Sequence, residues 1–207
     1  MPSTLRPLRS VVVALLLVLG SCGQDRTEEG PIVGLSVSAP TIDFPVPEFE
    51  LVDQRGKKFT RADMVGSVFV VDFVFTSCPK VCPELTKKMA ALSKKLRPNQ
   101  GVKFLSISVD PETDTPERLL AFQQKHGDVE APWFFVTGDP KVVDETVLKG
   151  FKMALSRGTD GGHGDASIFH AERFVVTDKR GHMRGAFETT PAGLERLEAM
   201  VAQLTAD

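Results

Sequence analysis

Two cysteines, Cys78 and Cys82, lie between an apolar segment and an amphipathic segment, and this arrangement constrains the fold more than any other feature of the chain. Residues 68–75 form an apolar run that is typical of a strand buried on both faces. From residue 83 to residue 96, apolar side chains recur at helical spacing. The sequence therefore predicts a strand, a turn that bears two thiols, and then a helix.

Segments with strand and helix patterns alternate along the rest of the chain. Residues 49–59 predict a short hairpin, with Asp53-Gln54-Arg55-Gly56 at its turn. The predicted strands are residues 68–75, 102–109, 133–136, 173–177 and 183–187. The predicted helices are residues 83–96, 116–126, 140–148 and 191–204. This succession implies an α/β fold, a sandwich with a central mixed β-sheet flanked by helices and with an N-terminal hairpin.

The first residues are typical of an export signal. Residues 1–21 combine two arginines with a short apolar core, and Leu19-Gly20-Ser21-Cys22 resembles the lipobox of bacterial lipoproteins, in which the cysteine is acylated. A plain signal peptide with an incidental cysteine is the alternative. Residues 22–47 are polar or rich in proline and predict a flexible tether, so that the folded domain spans 48–207. We therefore expect a protein of the bacterial cell envelope, lipid-anchored and facing the periplasm or the exterior.

The charge and the cysteine content narrow the possible functions. A net charge of −2 gives no reason to expect a nucleic-acid partner. Once Cys22 is assigned to the lipid, Cys78 and Cys82 are the remaining thiols, and a disulfide across so small a loop would add little stability. The pair is therefore expected to be functional. An iron–sulfur cluster needs more cysteines, and a closed zinc site needs two more ligands.

The spacing of the two thiols indicates a soft metal. If the intervening residues form a helical turn, positions 78 and 82 lie on one face and can reach the same ion. A helix that begins just after them is expected to lower the thiol pKa values. Soft thiolates select Cu(I), zinc or an iron–sulfur cluster, and the three-residue spacer favours copper over disulfide exchange. An inert pair or a structural disulfide is the alternative.

The four histidines differ in their surroundings. His126 precedes a glycine at a predicted helix end and His182 follows a turn, so both are expected at the surface. His163 lies in a glycine-rich stretch, where solvent exposure and a role as an auxiliary ligand are both compatible with the sequence. His170 stands at the end of that stretch, just before a predicted strand. A lone histidine is more often structural, and its position relative to the other motifs is what distinguishes His170.

Three carboxylates lie in residues 110–114, after the second predicted strand. Acid–base or metal chemistry is conceivable there, but turn formation explains them better. Thr115 is the best placed residue to cap the following helix. We assign no site to these acids.

The chain resembles the SCO/SenC family of thioredoxin-like, copper-binding assembly factors for cytochrome c oxidase. The similarity lies in the segment from Phe73 to Pro83, in the segment from Ser106 to Glu117, and in His170 with the strand and turn that follow it. It extends over residues 48–204. A combination of motifs spread over the whole domain is far more specific than a single pair of cysteines.

The resemblance implies a copper site made by Cys78, Cys82 and His170, binding Cu(I) or Cu(II). It also implies a copper metallochaperone that serves the dinuclear CuA centre of the oxidase, with the CuA subunit as partner and a possible upstream copper donor. Family members often have Asp-His-Ser or Asp-His-Thr around the histidine, whereas this chain has Phe169-His170-Ala171. The polar side chains on either side of the histidine are therefore missing from this chain. Their absence bears on the tuning of the copper site more than on its existence.

Two other functions remain open from the residues themselves. A thiol–disulfide oxidoreductase or a peroxidase would use Cys78 as the attacking thiol and Cys82 as the resolving thiol, without any need for His170. A redox or copper sensor would signal by docking to a partner. The three-residue spacer favours the chaperone, because thiol oxidoreductases normally use a two-residue spacer.

Overall fold

The computed structural model describes residues 42–96, 101–127, 132–153 and 172–206. Within these ranges, one mixed sheet of eight strands is flanked by four α-helices. The strands are β1 (Phe44–Pro45), β2 (Glu50–Asp53), β3 (Lys58–Thr60), β4 (Val68–Val74), β5 (Val102–Ser108), β6 (Trp133–Thr137), β7 (Arg173–Thr177) and β8 (His182–Glu188). The helices are α1 (Val81–Leu96), α2 (Pro116–His126), α3 (Pro140–Glu145) and α4 (Pro191–Ala206).

The sheet has the order β1-β8-β7-β4-β5-β6-β2-β3. Its centre is parallel, because β4 pairs with β5 and β5 pairs with β6 in the same direction. The neighbours on both sides are antiparallel. The predicted α/β class, the mixed sheet and the hairpin of β2 and β3 are thereby confirmed.

The sheet separates two hydrophobic cores. The central strand β4 is buried over its full length, and its side chains alternate between the two faces. Val70 and Val74 pack in the core that contains the apolar faces of α1, α2 and α4. Phe69 and Phe73 pack in the other core, which contains α3 and the hairpin. A strand buried on both faces explains why residues 68–75 read as a continuous apolar run rather than an alternating one.

Local capping explains where the helices begin. The Thr115 side chain accepts a hydrogen bond from the Arg118 N–H and Pro116 stands at the first helical position, as predicted. The Asp139 side chain accepts hydrogen bonds from two backbone N–H groups of α3. Helix α1 begins two residues before the predicted start at Pro83, since a proline is tolerated in the first turn of a helix.

The N-terminal edge of the sheet lies before residue 48. Strand β1 pairs with β8, and Val46 is buried. Asp43 contacts the His182 ring and forms an ion pair with Arg180, which ties this edge to the turn between β7 and β8. Asp43, Val46 and strand β1 belong to the stretch 22–47 that the sequence assigns to the tether. Strand pairing in the sheet therefore begins before residue 48, the predicted start of the folded domain.

The signal peptide, Cys22 and most of the tether precede Ile42 and lie outside the described residues. They remain predictions from the sequence. In the described part of the chain, no helix combines the length and the apolar character that crossing a bilayer requires.

A carboxylic acid stands in the middle of the apolar central strand. Asp72 is fully buried, and its Oδ1 accepts a hydrogen bond of 2.5 Å from the Ser106 hydroxyl, which in turn accepts one of 2.9 Å from Trp133 Nε1. Asp72 Oδ2 has no hydrogen-bond partner among the described residues. Burial raises the pKa of Asp72 to about 7, because removal from water disfavours the ionised form.

This pKa predicts a pH-dependent stability. Above about pH 4 the unfolded chain ionises Asp72 while the folded protein retains the proton, so stability falls as pH rises and becomes level above about pH 7. Between pH 5 and pH 8, Asp72→Asn should therefore gain about 3 kcal/mol relative to the parent, at 1.36 kcal/mol per pKa unit. Urea unfolding of both proteins at several pH values measures this difference.

A second variant tests the raised pKa of Asp72 through its hydrogen-bond donor. Ser106→Ala removes the donor that favours the ionised carboxylate, so its stability should continue to fall at a higher pH than that of the parent. A difference between parent and Asp72→Asn that stays constant from pH 5 to pH 8 would contradict the assignment.

Candidate metal centre

The two cysteines are brought together by the connection between β4 and α1. We call residues 75–80 the thiol loop. It turns immediately after the strand, where the Cys78 N–H donates to the Phe75 carbonyl at 3.2 Å. Cys82 lies in the first turn of α1, and its N–H donates to Cys78 Sγ at 3.3 Å. The sulfur of Cys78 thus takes the place that a capping oxygen has at many helix N-termini.

Both thiols are free and face the protein interior. Cys78 is 8% exposed and Cys82 is 4% exposed, and both pack in the core formed by α1, α2 and α4. The structure therefore places two sulfur donors in one turn at the rim of a hydrophobic core, with no disulfide between them. This is the proximity that the four-residue spacing predicts.

The expected low pKa is wrong for Cys82. Burial raises the pKa of this thiol well above its ordinary value, and the nearby Cys78 and Asp72 raise it further, while a hydrogen bond with the Phe75 backbone opposes them in part. The helix N-terminus stabilises a negative charge by at most about 2 kcal/mol. Loss of hydration outweighs that contribution when the sulfur lies inside the core.

A buried carboxylate anchors the thiol loop. Asp114 Oδ1 accepts a hydrogen bond of 2.5 Å from Thr76 Oγ1 and another of 3.1 Å from the Thr76 N–H. Asp114 Oδ2 accepts one of 2.6 Å from Ser108 Oγ, the last residue of β5. The loop before Cys78 is thus held against the end of the neighbouring parallel strand.

The sequence did not identify Asp114 as part of the site. It predicts turn formation for residues 110–114, and the backbone of Asp110 does accept hydrogen bonds from Thr113 and Asp114 as such a turn requires. Nothing in the sequence tells which of the three carboxylates points inward. The signal that was available is the pairing of two predicted parallel strands, since their carboxyl ends must meet at one edge.

The third predicted ligand lies outside the described residues. His170 and His163 both belong to residues 154–171, so their prediction stays as the sequence gives it. The centroid of the His126 ring lies 4.9 Å from that of the Phe122 ring, and the His182 ring contacts Asp43. No group of three histidine, cysteine or acidic side chains that could hold a metal ion occurs in ranges 42–96, 101–127, 132–153 and 172–206.

An open groove of about 820 Å³ lies beside the first turn of α1. Val81, which stands between the two cysteines in sequence, forms part of its lining, as do Lys88 and Glu172. Lys88 Nζ donates to Thr189 Oγ1 at 3.1 Å and lies 3.9 Å from a Glu172 carboxylate oxygen. The chain that follows residue 171 therefore enters the described fold next to the helix that bears Cys82.

Known proteins share both the sequence pattern and the fold. The SCO1/SenC family profile matches residues 42–206. The SCO1 protein homolog of Bacillus subtilis is 30% identical over 169 residues, which cover 81% of this chain and 80% of the relative.

Two solved structures show the same architecture. BsSco, a member of the Sco family of cytochrome c oxidase assembly proteins with an identified disulfide switch, superposes with a TM-score of 0.71 at 28% identity, covering 81% of this chain and 96% of BsSco. ScoI of Bradyrhizobium japonicum, solved with copper bound, has a TM-score of 0.63 at 22% identity, covering 77% and 99%. The predicted thioredoxin-like fold is confirmed. The chain belongs to the SCO1/SenC family.

Proposed function

We propose that this protein is a copper metallochaperone, tethered to a membrane on its extracytoplasmic side, that serves assembly of the CuA centre of cytochrome c oxidase. The observation that supports it most directly is the pair of free, buried thiols of Cys78 and Cys82 in one turn. Copper is the cargo in this proposal. The oxidase subunit that contains CuA is the acceptor, and a separate copper protein is the upstream donor.

The donor set suits copper. Two sulfur ligands are soft, and soft ligands favour Cu(I) over the hard divalent cations. The apolar surroundings of Cys78 and Cys82 keep water from the metal, which further favours the lower oxidation state. Bound copper in ScoI of Bradyrhizobium japonicum supports the same choice of metal.

His170 completes the proposed site. Glu172 is the first described residue after His170 and follows it by two positions in the sequence. Glu172 in turn lies beside Lys88, on the helix that bears Cys82. The family resemblance implies a three-coordinate site of two thiolates and one imidazole, which would leave a coordination position for a thiolate of the acceptor.

Copper titration tests the ligand set. The full chain in detergent micelles, reduced and titrated with Cu(I) against a chelator, should bind one copper tightly. His170→Ala should weaken binding by at least about a hundredfold, because loss of even an outer partner of a metal ligand costs 10- to 100-fold. Cys78→Ser and Cys82→Ser should abolish tight binding.

His126→Ala is the matched control, because that imidazole contacts the Phe122 ring and belongs to no group of three potential metal ligands in the described part of the chain. Its copper affinity should equal that of the parent. An unchanged affinity in His170→Ala would remove His170 from the ligand set, and unchanged affinity in the cysteine variants would overturn the chaperone proposal.

A second candidate function uses the same thiols as a reductant. Both cysteines are free and share one turn, and a disulfide switch has been identified in BsSco. Cys78 would attack a disulfide of the partner, and Cys82 would then displace the partner's second sulfur. The two thiols lose two electrons and two protons, and the partner's disulfide becomes two thiols.

Turnover separates the two candidates. A chaperone should reduce insulin or consume peroxide slowly, because the sulfur that must resolve the intermediate is buried and its pKa is raised. The assay follows insulin precipitation with excess reductant, with Cys82→Ser as control. Fast turnover that disappears in the control would favour the oxidoreductase.

The membrane anchor is tested at Cys22. Intact mass spectrometry of the protein extracted from membranes should show a chain that begins at Cys22 and bears a diacylglyceryl group. The Cys22→Ser variant should keep its signal peptide. In the membrane fraction, it should be labelled less by a lipid precursor than the parent. Cleavage at another residue, without added lipid, would support the plain signal peptide instead.

A further inference from the structure

We propose that Asp114 is a positioning residue for the thiol pair, acting through Thr76 to fix the thiol loop against the end of β5. The inference deepens the copper function proposed above and rests on it for its metal readout. Asp114 would not contact the metal itself. Its role would be to fix the position of Cys78 for binding copper or a sulfur atom of the partner.

The geometry supports an anchor with little freedom. Three donor groups converge on one carboxylate: the hydroxyl and the N–H of Thr76, and the hydroxyl of Ser108. Asp114 is 1% exposed, so water does not compete for these bonds. Hydrogen bonds to a charged acceptor are about twice as strong as neutral ones.

The orientation of Ser108 is itself determined by its neighbours. Its Oγ donates to Asp114 and accepts a hydrogen bond of 3.1 Å from the Asp110 N–H. The backbone of β5 is held in the sheet, with Ser108 aligned with Val74 of β4. The carboxylate is therefore attached to the sheet through Ser108 on one side and to the start of the thiol loop, Thr76, on the other.

Thr76 is two residues before Cys78, and the intervening turn is closed by the hydrogen bond from the Cys78 N–H to the Phe75 carbonyl. Displacement of Thr76 therefore moves Cys78. A site displaced by about 1 Å can lose about a hundredfold in function. The anchor is thus placed where a small shift has a large effect on the sulfur.

The test compares Asp114→Asn with Glu112→Gln in the full chain. Both substitutions remove one negative charge from the same segment, but Glu112 is exposed and makes no hydrogen bond to Thr76. Asn carries no charge and presents an N–H₂ group in place of one acceptor oxygen, so at least one of the three donors loses its acceptor and the anchor is weakened without a change of volume. Urea unfolding and circular dichroism identify the conditions in which each variant is folded.

Three readouts report on the thiols in folded protein. Iodoacetamide alkylation, resolved by peptide mass spectrometry, should be at least about tenfold faster at Cys78 in Asp114→Asn than in the parent. The Cu(II)–thiolate absorption should shift or broaden, and the copper affinity should fall by at least about tenfold. Glu112→Gln should match the parent in all three measurements.

Variants at Thr76 show whether the effect passes through that residue. Thr76→Val keeps the side-chain shape and removes the hydroxyl, and it should reproduce part of the Asp114→Asn effect. Thr76→Ser retains the hydroxyl and should restore parent behaviour. The double variant Thr76→Val with Asp114→Asn should add little to Asp114→Asn alone, because both changes remove the same contact.

Several outcomes would overturn the inference. Parent-like alkylation and copper spectra in folded Asp114→Asn would do so, and so would fully additive effects in the double variant. If Asp114→Asn does not fold, parent-like behaviour of Thr76→Val overturns it alone. A parent that binds no copper defeats the proposed function, while the alkylation rates still test the anchor.

Discussion

The parallel pairing of β4 with β5 is the interaction on which the site depends. Val74 is aligned with Ser108, and the Val109 N–H donates to the Val74 carbonyl at 2.9 Å, so both strands end at the same level. Since the carboxyl ends of parallel strands share one edge, the two connections that leave them are adjacent. That adjacency lets Asp114, which follows one strand, hold Thr76, which follows the other.

Burial and the helix terminus act in opposite directions on the pKa of the Cys82 thiol, and burial prevails. The positive end of α1 favours negative charge, but its contribution is limited to the first turn and to about 2 kcal/mol. Removal of the Cys82 thiolate from water costs more free energy than the helix terminus returns, because burial is the largest cause of the raised pKa. The same apolar packing that disfavours ionisation of the thiol would also exclude water from a soft cation bound there. Burial in the core therefore affects both the protonation of Cys82 and its suitability as a metal ligand.

The long apolar and amphipathic segments could be predicted from the sequence, because burial determines their periodicity. The central strands, the hairpin and the cap at Thr115 follow from such local patterns. Strand β1 could not, because two residues paired with β8 have no period of their own. The inward direction of Asp114 depends on a contact with Thr76, 38 residues away, which no local pattern encodes. Asp72 is an intermediate case, since an acid inside an apolar run is visible in sequence but its partner Ser106 is not.

The proposed ligand set combines donors of two kinds. Cys78 and Cys82 come from five consecutive residues and are held by the sheet edge, whereas His170 comes from a segment about ninety residues later in the chain. A chaperone must keep its cargo and yet release it to an acceptor. In the proposed site, Cys78 and Cys82 would hold the metal while an incoming thiolate takes the place of the imidazole, so exchange would not require both sulfurs to leave at once. Rigidity at Thr76 and Asp114 is therefore compatible with the proposed copper transfer, because the ligand proposed to be exchanged first, His170, is not one that the Asp114 anchor holds.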